Sequence, residues 1–478
     1  MPAHMFKPQR PLQRPSHHQS HQPSHQPSPH SSHRPTRIAA ALSLLLGFAM
    51  TAPSVRAMSL EQALQAALRY DPAFQSATYE QAASSEARII GRANLLPNVS
   101  ANYSRNDVSA DRITRTARGP VNDNPNYLSE SASITLRQPL FNLEAYARYQ
   151  QGNAQSNYGD AILAAKTQDL FVRLFGAYAD ALLASDQIRL AVAQRDALRE
   201  NELTNQRMFE RGAGTRTDVL ETRARYELSE ADLLEAANNL DIARRKLSSI
   251  TGPVTTTLPR LTPEFKTLAI TPEEFEPWEK IALDQNPTLL AQRHQVNYAE
   301  LDLKRVQAGH YPKMDLVASY TDSKSDSLFT FNQESRSRSI GVQMAVPLYS
   351  GGSVDAGVRQ AVASLERARA DMSTKTEDVL QELRRQHRLF TSSRARIDAL
   401  VSAERSSEEV VEATRKSIAA GARVNLDLLN AEKQLYTTRR DLAQARYGHL
   451  VAYLRLRQAA GLLTGEDVLA LDGYFRGE

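Results

Sequence analysis

Arg211-Gly212-Ala213-Gly214-Thr215-Arg216-Thr217-Asp218-Val219-Leu220 decides how this chain is read, because it returns as Ala420-Gly421-Ala422-Arg423-Val424-Asn425-Leu426-Asp427-Leu428-Leu429. Gly212 to Asp218 and Gly421 to Asp427 have the same spacing, and each stretch lies between helical runs nearly free of proline. Glycine there closes a helix, and Thr217/Asp218 or Asn425/Asp427 are candidates to cap the next one. Each copy therefore predicts a tight turn between two antiparallel helices.

The duplication extends outward from these turns. Asp71-Pro72 returns as Asn286-Pro287, Leu96-Pro97 as Tyr311-Pro312, and Gln138-Pro139-Leu140-Phe141 as Val346-Pro347-Leu348-Tyr349. Gly252 returns as Gly461. The offsets are 215, 215, 208 and 209, so the first copy holds a loop seven residues longer between Pro97 and Pro139. Two repeats of one unit are expected. Residues 58–250 form the first, 251–277 a Pro- and Thr-rich linker, 278–463 the second and 464–478 a tail.

Residues 1–57 stand apart. They contain seven of the eleven His and no acid, and the apolar run Ile38–Met50 is too short to span a bilayer. Val55-Arg56-Ala57 follows with small residues at −3 and −1, which predicts a secretory signal peptide cleaved after Ala57. Taking its six basic groups from the 58 of the chain leaves 52 against 54 acids, a net charge of −2. The apparent basicity belongs to the presequence and gives no ground for a nucleic-acid partner. There is no Cys, which excludes disulfides, thiol catalysis and a lipidated N-terminal Cys. No later run is apolar enough for a membrane helix, so any membrane span must be a barrel.

Within each repeat the period changes twice. Ser59-Leu60-Glu61-Gln62 is a capping box, and a helical pattern runs to Leu96 with a break at Asp71-Pro72. Val99, Ala101 and Tyr103 then alternate with polar residues, as do Ala132, Ile134 and Leu136. The second copy alternates at Met314, Leu316, Ala318 and Tyr320, then at Ile340, Val342, Met344 and Val346. Strands are expected only near 97–139 and 312–347, with polar loops at about Asp107–Leu128 and Asp322–Glu334 facing outside the cell. From Leu140 to Arg211 no proline interrupts 72 residues, on the order of 110 Å of helix. Leu163, Leu170, Ala177, Ala184, Ala191 and Leu198 recur every seven, as do Leu428, Leu435, Leu442, His449 and Leu456. His449 is expected as a polar seam residue. Leu60–Leu96 and Thr215–Ile250 together match the long helix, so they should stack end to end beside it, with the linker at mid-height.

Four strands cannot close a membrane barrel, and an open edge in lipid leaves backbone groups unpaired. A membrane reading therefore needs two or three chains. At this point the residues resemble the TolC family of outer-membrane efflux and secretion ducts, over essentially all of 58–463. The resemblance rests on the duplicated helix–hairpin–helix unit, Leu96-Pro97, Arg137-Gln138-Pro139-Leu140-Phe141 and the two Gly-to-Asp turns. The Arg-Gln-Pro-Leu-Phe form and the missing lipid-anchor Cys look like the type I secretion branch. The resemblance implies a mixed α and β membrane protein. It would be a homotrimer whose twelve-stranded antiparallel β-barrel in the outer-membrane lipid continues into a coiled-coil α-helical barrel in the periplasm. It also implies a gate formed by Asp218 of the first turn and Arg423 of the second, and a periplasmic entrance ring at Asp427 and Asn430. Two residues depart from the family pattern: Asn430 stands at a family Asp position and Ile418 at the gate tyrosine.

The resemblance and the repeat point to a channel-tunnel that exports protein or small-molecule cargo with an inner-membrane transporter and a periplasmic adaptor. The alternative is a periplasmic coiled-coil structural or adaptor protein without a pore. An enzyme is not expected: there is no P-loop, His-Glu-x-x-His or Gly-x-Ser-x-Gly, and Gly351-Gly352-Ser353-Val354-Asp355 lacks the final Gly. No cofactor or metal is expected either.

Overall fold

Ser59 starts the first helix with the expected capping box, its hydroxyl accepting from Gln62 N–H while the Gln62 side chain accepts from Ser59 N–H. The computed structural model describes residues 58–253, 258–262, 264–325 and 333–476. The proposed signal peptide, linker residues 254–257 and 263, and the tip of the second loop lie outside them. The first half contains α1 (Leu60–Tyr70), α2 (Pro72–Ala93), β1 (Asn98–Ser109), β2 (Arg112–Thr116), β3 (Gly119–Asp123), β4 (Asn126–Phe141), α3 (Leu143–Glu210) and α4 (Arg216–Thr251). After β5 (Arg260–Leu261) come α5 (Phe275–Gln285), α6 (Pro287–Gln307), β6 (Lys313–Ser325), β7 (Gln333–Ala345), α7 (Ser353–Ala419) and α8 (Asn425–Ala460). The chain closes with α9 (Gly465–Ala470) and β8 (Phe475–Arg476).

Asp71 ends α1 and caps α2, its Oδ1 accepting from Phe74 N–H at 2.7 Å, with Pro72 in the first helical turn where no N–H is needed. Asn286 does the same between α5 and α6, accepting from Thr288 and Leu289 N–H. This break alters the expected stacking. α1 packs beside the end of α4 as well as against α3, and α5 beside α7 and α8, so of the two segments before each strand pair only α2 and α6 run at length along the long helices.

α3 has 68 residues, about 100 Å of helix. Its seam is buried at Leu170, Ala177, Ala184 and Leu198, and the α8 seam is buried at every heptad position from Leu428 to Leu456. Small residues let neighbouring backbones touch. A Cβ at Gly152 of α3 would run into the carbonyl oxygen of Ala87 on α2. The main core surrounds the middle of α3, where Leu174, Phe175 and Tyr178 meet Leu60 of α1, Leu247 of α4 and Leu450 of α8. Residues 464–476 are not a loose tail: Val468, Leu471 and Phe475 insert into this core, and β8 pairs with β5 of the linker. That two-residue pair is the one strand contact outside the two expected regions among the described residues.

The four long strands form one antiparallel sheet in the order β1-β4-β6-β7. The polar stretch 107–128, expected as a loop, instead prolongs β1 and β4 and folds its middle into the β2–β3 hairpin. Its Asn, Asp and Arg content suggested a loop. Backbone pairing, an Arg112–Asp123 ion pair and the Thr116–Gly119 turn outweigh that composition.

Candidate functional site

Two regions combine exposure with organised chemistry: the sheet and the two helical tips. In the sheet, register puts Val99, Leu136, Ala318 and Ile340 in one lateral row, and Ala101, Ile134, Tyr320 and Arg338 in the next, where the Arg338 guanidinium lies over the Tyr320 ring at 5.7 Å. This face is apolar and uncovered, with Ile340 77%, Val99 63% and Met344 61% exposed. The opposite face is polar: Ser100, Thr135, Ser319 and Ser339 share a row, and the last two hydroxyls lie 2.8 Å apart. The apolar face ends in charge at the far side of the sheet from the helices, with Arg105–Glu130 at 3.3 Å, Lys324–Glu334 at 3.2 Å and Arg336–Asp322 at 3.2 Å. β1 and β7 are its edges, and each pairs on one side only.

The tips are built by one backbone device used twice. Gly212 and Gly421 adopt φ of 72° and 71°. Gly212 N–H donates to Phe209 O at 2.9 Å and Ala213 N–H to Met208 O at 2.8 Å; Gly421 to Ile418 O and Ala422 to Ser417 O repeat the pattern at 2.9 Å. These are Schellman closures, which need the left-handed conformation that glycine adopts freely. The two following helices start differently. Thr215, not Thr217, caps α4, and Asp218 completes a capping box by accepting from Thr215 N–H at 3.2 Å and Thr215 Oγ1 at 2.6 Å. Val424 precedes α8 and offers no side-chain cap. The Asn425 amide nitrogen, expected as cap material, is buried without a partner.

The residues singled out in the sequence are therefore partly assembled. Asp218 is half-buried in its cap, whereas Arg423 is exposed, and within one chain the two form no ion pair among the described residues. Asp427 is half-buried in the first turn of α8. Asn430 is exposed, and its Oδ1 accepts from Arg225 Nη2 of α4 at 2.8 Å. Ile418, where the resemblance expects a tyrosine, packs with Val411, Leu428 and Leu435 in a small apolar cluster.

Sequence reading missed Arg225 and a nearby cluster. Glu432 of α8 has a side chain only 5% exposed and accepts from Arg415 of α7 at 2.7 Å and from Asn201 of α3 at 2.9 Å. A carboxylate four residues after seam Leu428 was the available signal. At mid-height, His449 is fully buried and stacked on Phe390 at 4.7 Å. Leu268 N–H donates to its Nε2 at 2.9 Å, so the neutral ring carries its proton on Nδ1, which faces Ser393 Oγ at 2.7 Å. Burial, then the charge of Arg394, pushes its pKa down to about 4. The histidine is a seam residue as expected, and it ties the linker to α7 and α8. Among the described residues, no group of His, Asp and Glu is arranged to hold a metal.

Comparison with known proteins resolves the class. The family model described as outer membrane efflux protein matches residues 63–253 and 278–462. The chain belongs to the outer membrane efflux protein family. The alkaline protease secretion protein AprF of Pseudomonas aeruginosa is 40% identical over 425 residues, covering 88% of each chain. The proteases secretion protein PrtF of Dickeya chrysanthemi is 37% identical over 450 residues, covering 91% of this chain and 95% of that one. The Campylobacter jejuni CmeC outer membrane channel shares the fold with a TM-score of 0.75 at 15% identity, over 87% of this chain and 90% of that one. As a member of the outer membrane efflux protein family, the chain is an outer-membrane export channel with a helical tunnel in the periplasm, and not an enzyme. Membership implies an inner-membrane transporter and a periplasmic adaptor as partners.

Proposed function

We propose that three copies of this chain close into one twelve-stranded barrel continuous with a twelve-helix tunnel, and that the duct secretes a protein substrate of a type I system. The observation that carries the proposal is the four-stranded sheet with one bare apolar face and two open edges. Each unpaired edge group would cost several kcal/mol in lipid, and pairing β7 of one chain with β1 of the next removes that cost. Lipid would cover the Val99–Ile340 face, and the serine-rich face would line a wet lumen. Residues 58–250 and 278–463 then supply equivalent halves, with 251–277 as an equatorial strap, and 1–57 is the export signal. The names of AprF and PrtF favour a protein, such as a protease, as cargo.

At the periplasmic end six hairpin tips would converge. Arg423, exposed and unpaired within its own chain among the described residues, is free to reach Asp218 of a neighbour. Asp427 would face its symmetry copies as a ring of carboxylates and attract cations. The test is planar-bilayer recording of purified trimers. Asp218→Ala or Arg423→Ser should raise single-channel conductance, and Asp427→Ala should lower cation preference. A monodisperse monomer in detergent would refute closure. Unchanged conductance in intact trimers would remove Asp218 and Arg423 from the gate. Secretion is tested by supplying the chain, a type I transporter and its adaptor to cells with a protease substrate; no extracellular protease would refute that cargo.

A further inference from the structure

We infer that Arg225 is a second gate residue of this duct and sets the charge of its mouth, acting through Asn430. The inference rests on the gate reading above but uses neither of its residues. α4 packs along α3 and α8 along α7; α8 also leans on α3, where Asn201 meets Glu432, but α4 and α8 themselves touch at few points. Among the described residues, Arg225 Nη2 to Asn430 Oδ1 at 2.8 Å is the one hydrogen bond between α4 and α8. Above it lies a cleft of about 100 Å³ lined by Leu228, Ser229, Leu429 and Glu432, so apolar packing does not close the junction at this level. Any movement that parts α4 from α8 must break this bond.

The same bond changes the electrostatics of the entrance. Asn430 lies three residues after Asp427, on the same face of α8. An aspartate at 430 would add a second carboxylate beside the first. Here that position is neutral, and its oxygen holds a guanidinium one helical turn from Asp427. Three chains would thus bring three arginines close to three aspartates and moderate cation attraction. The two roles separate by substitution. Arg225→Ala removes both the link and the charge. Asn430→Ala removes the link and leaves the charge.

The experiment is single-channel recording on trimers checked for resistance to SDS, with Asp218→Ala alongside. Arg225→Ala should raise conductance and shift the reversal potential in a salt gradient toward the cation limit. Asn430→Ala should raise conductance without that shift. If Asp218→Ala opens the channel while Arg225→Ala and Asn430→Ala both leave it unchanged, Arg225 is no latch and the gate reading survives. If the two new variants open it and Asp218→Ala does not, the latch stands and the Asp218–Arg423 pair falls. A reversal potential unmoved by Arg225→Ala would overturn the charge role.

Discussion

Asp71 offers the sharpest energetic test, because the second repeat contains its own control. The Asp71 side chain is 3% exposed; it caps α2 and accepts two hydrogen bonds of 3.0 Å from the Arg173 guanidinium. Asp71→Ala removes a cap worth about 1 kcal/mol. It also strands Arg173, and losing one partner of a fully buried pair costs about 3–5 kcal/mol. Arg173 is 35% exposed and keeps Asp169 at 2.9 Å, so solvent screening reduces that part to about 1–2 kcal/mol. The sum is about 2–3 kcal/mol, or roughly 30- to 140-fold faster local opening. Asp71→Asn keeps a capping oxygen and should give only about 5- to 30-fold. Hydrogen exchange of the amides of residues 73–78 reads this directly. In the second copy Asn286 caps α6, and Glu382 stands 209 residues after Arg173. Both line one cavity, so Asn286→Asp should destabilise where Asp71→Asn also does. pH gives an independent check. Burial raises the Asp71 pKa, but Arg173 and the Phe74 N–H outweigh it and hold the carboxyl below its usual range. Its contribution is therefore present above about pH 3.8 and is lost as pH falls through the lower folded value. Equal exchange in Asp71→Ala and Asp71→Asn would refute the reasoning, since only the first loses the cap.

Three further outcomes are expected. Gly152→Leu forces α2 from α3 at the Ala87 carbonyl and should cost about 1–3 kcal/mol, read as a lower temperature for trimer dissociation in SDS; an unchanged temperature would show that the helices separate freely. Asn124→Cys, exposed beside the β2–β3 hairpin, should react with an impermeant thiol reagent on intact cells, and labelling only after the periplasm is opened would invert the orientation. His449 is held neutral in the fold, with its pKa down to about 4, so the unfolded chain alone takes up a proton between pH 6.5 and 4. Stability should fall by about 3 kcal/mol across that window, and His449→Asn should flatten the dependence in urea unfolding followed at Trp278.

The legible parts of this fold were those written in local period. Heptads marked the long helices, alternation marked four strands, and paired glycines marked the tips. The β2–β3 hairpin was not legible, because Arg, Asn and Asp in a strand carry the composition of a loop, and only pairing partners eleven residues apart or fewer decide between them. The stacking of α1 was misread because Asp71-Pro72 signals a break and carries no direction for the helix before it. At the tips, Gly212, Gly421 and Asp218 were readable as turn chemistry. Arg225 was not, since its partner lies 205 residues away and exposed arginines on helices are ordinary. Glu432 was within reach, as a charge on the buried stripe of α8, but naming Asn201 and Arg415 as its partners required three helices in place.

The two copies keep their turns alike and differ in how the returning helix begins, and this difference fits a gate that moves on one side. Both tips share the Schellman closure, so each hairpin stays a hairpin when it shifts. The first copy then anchors its returning helix with Thr215 and Asp218, a reciprocal cap that stabilises α4 by about 1 kcal/mol. The second begins at Val424, which supplies no side-chain acceptor, so the first turn of α8 lacks that stabilisation. α8 instead depends on contacts to other helices: Asn430 on Arg225, Glu432 on Asn201 and Arg415, and Leu428 on the apolar cluster with Ile418. A helix held by its own cap keeps its start whatever its neighbours do. One held by its neighbours loosens when they part. In the duct proposed here, α4 is the fixed wall and α8 the moving one, and restoring a cap with Val424→Thr should stiffen the tip and lower the open probability. An unaltered open probability in that variant, with faster or equal exchange at residues 425–428, would place the mobile element elsewhere.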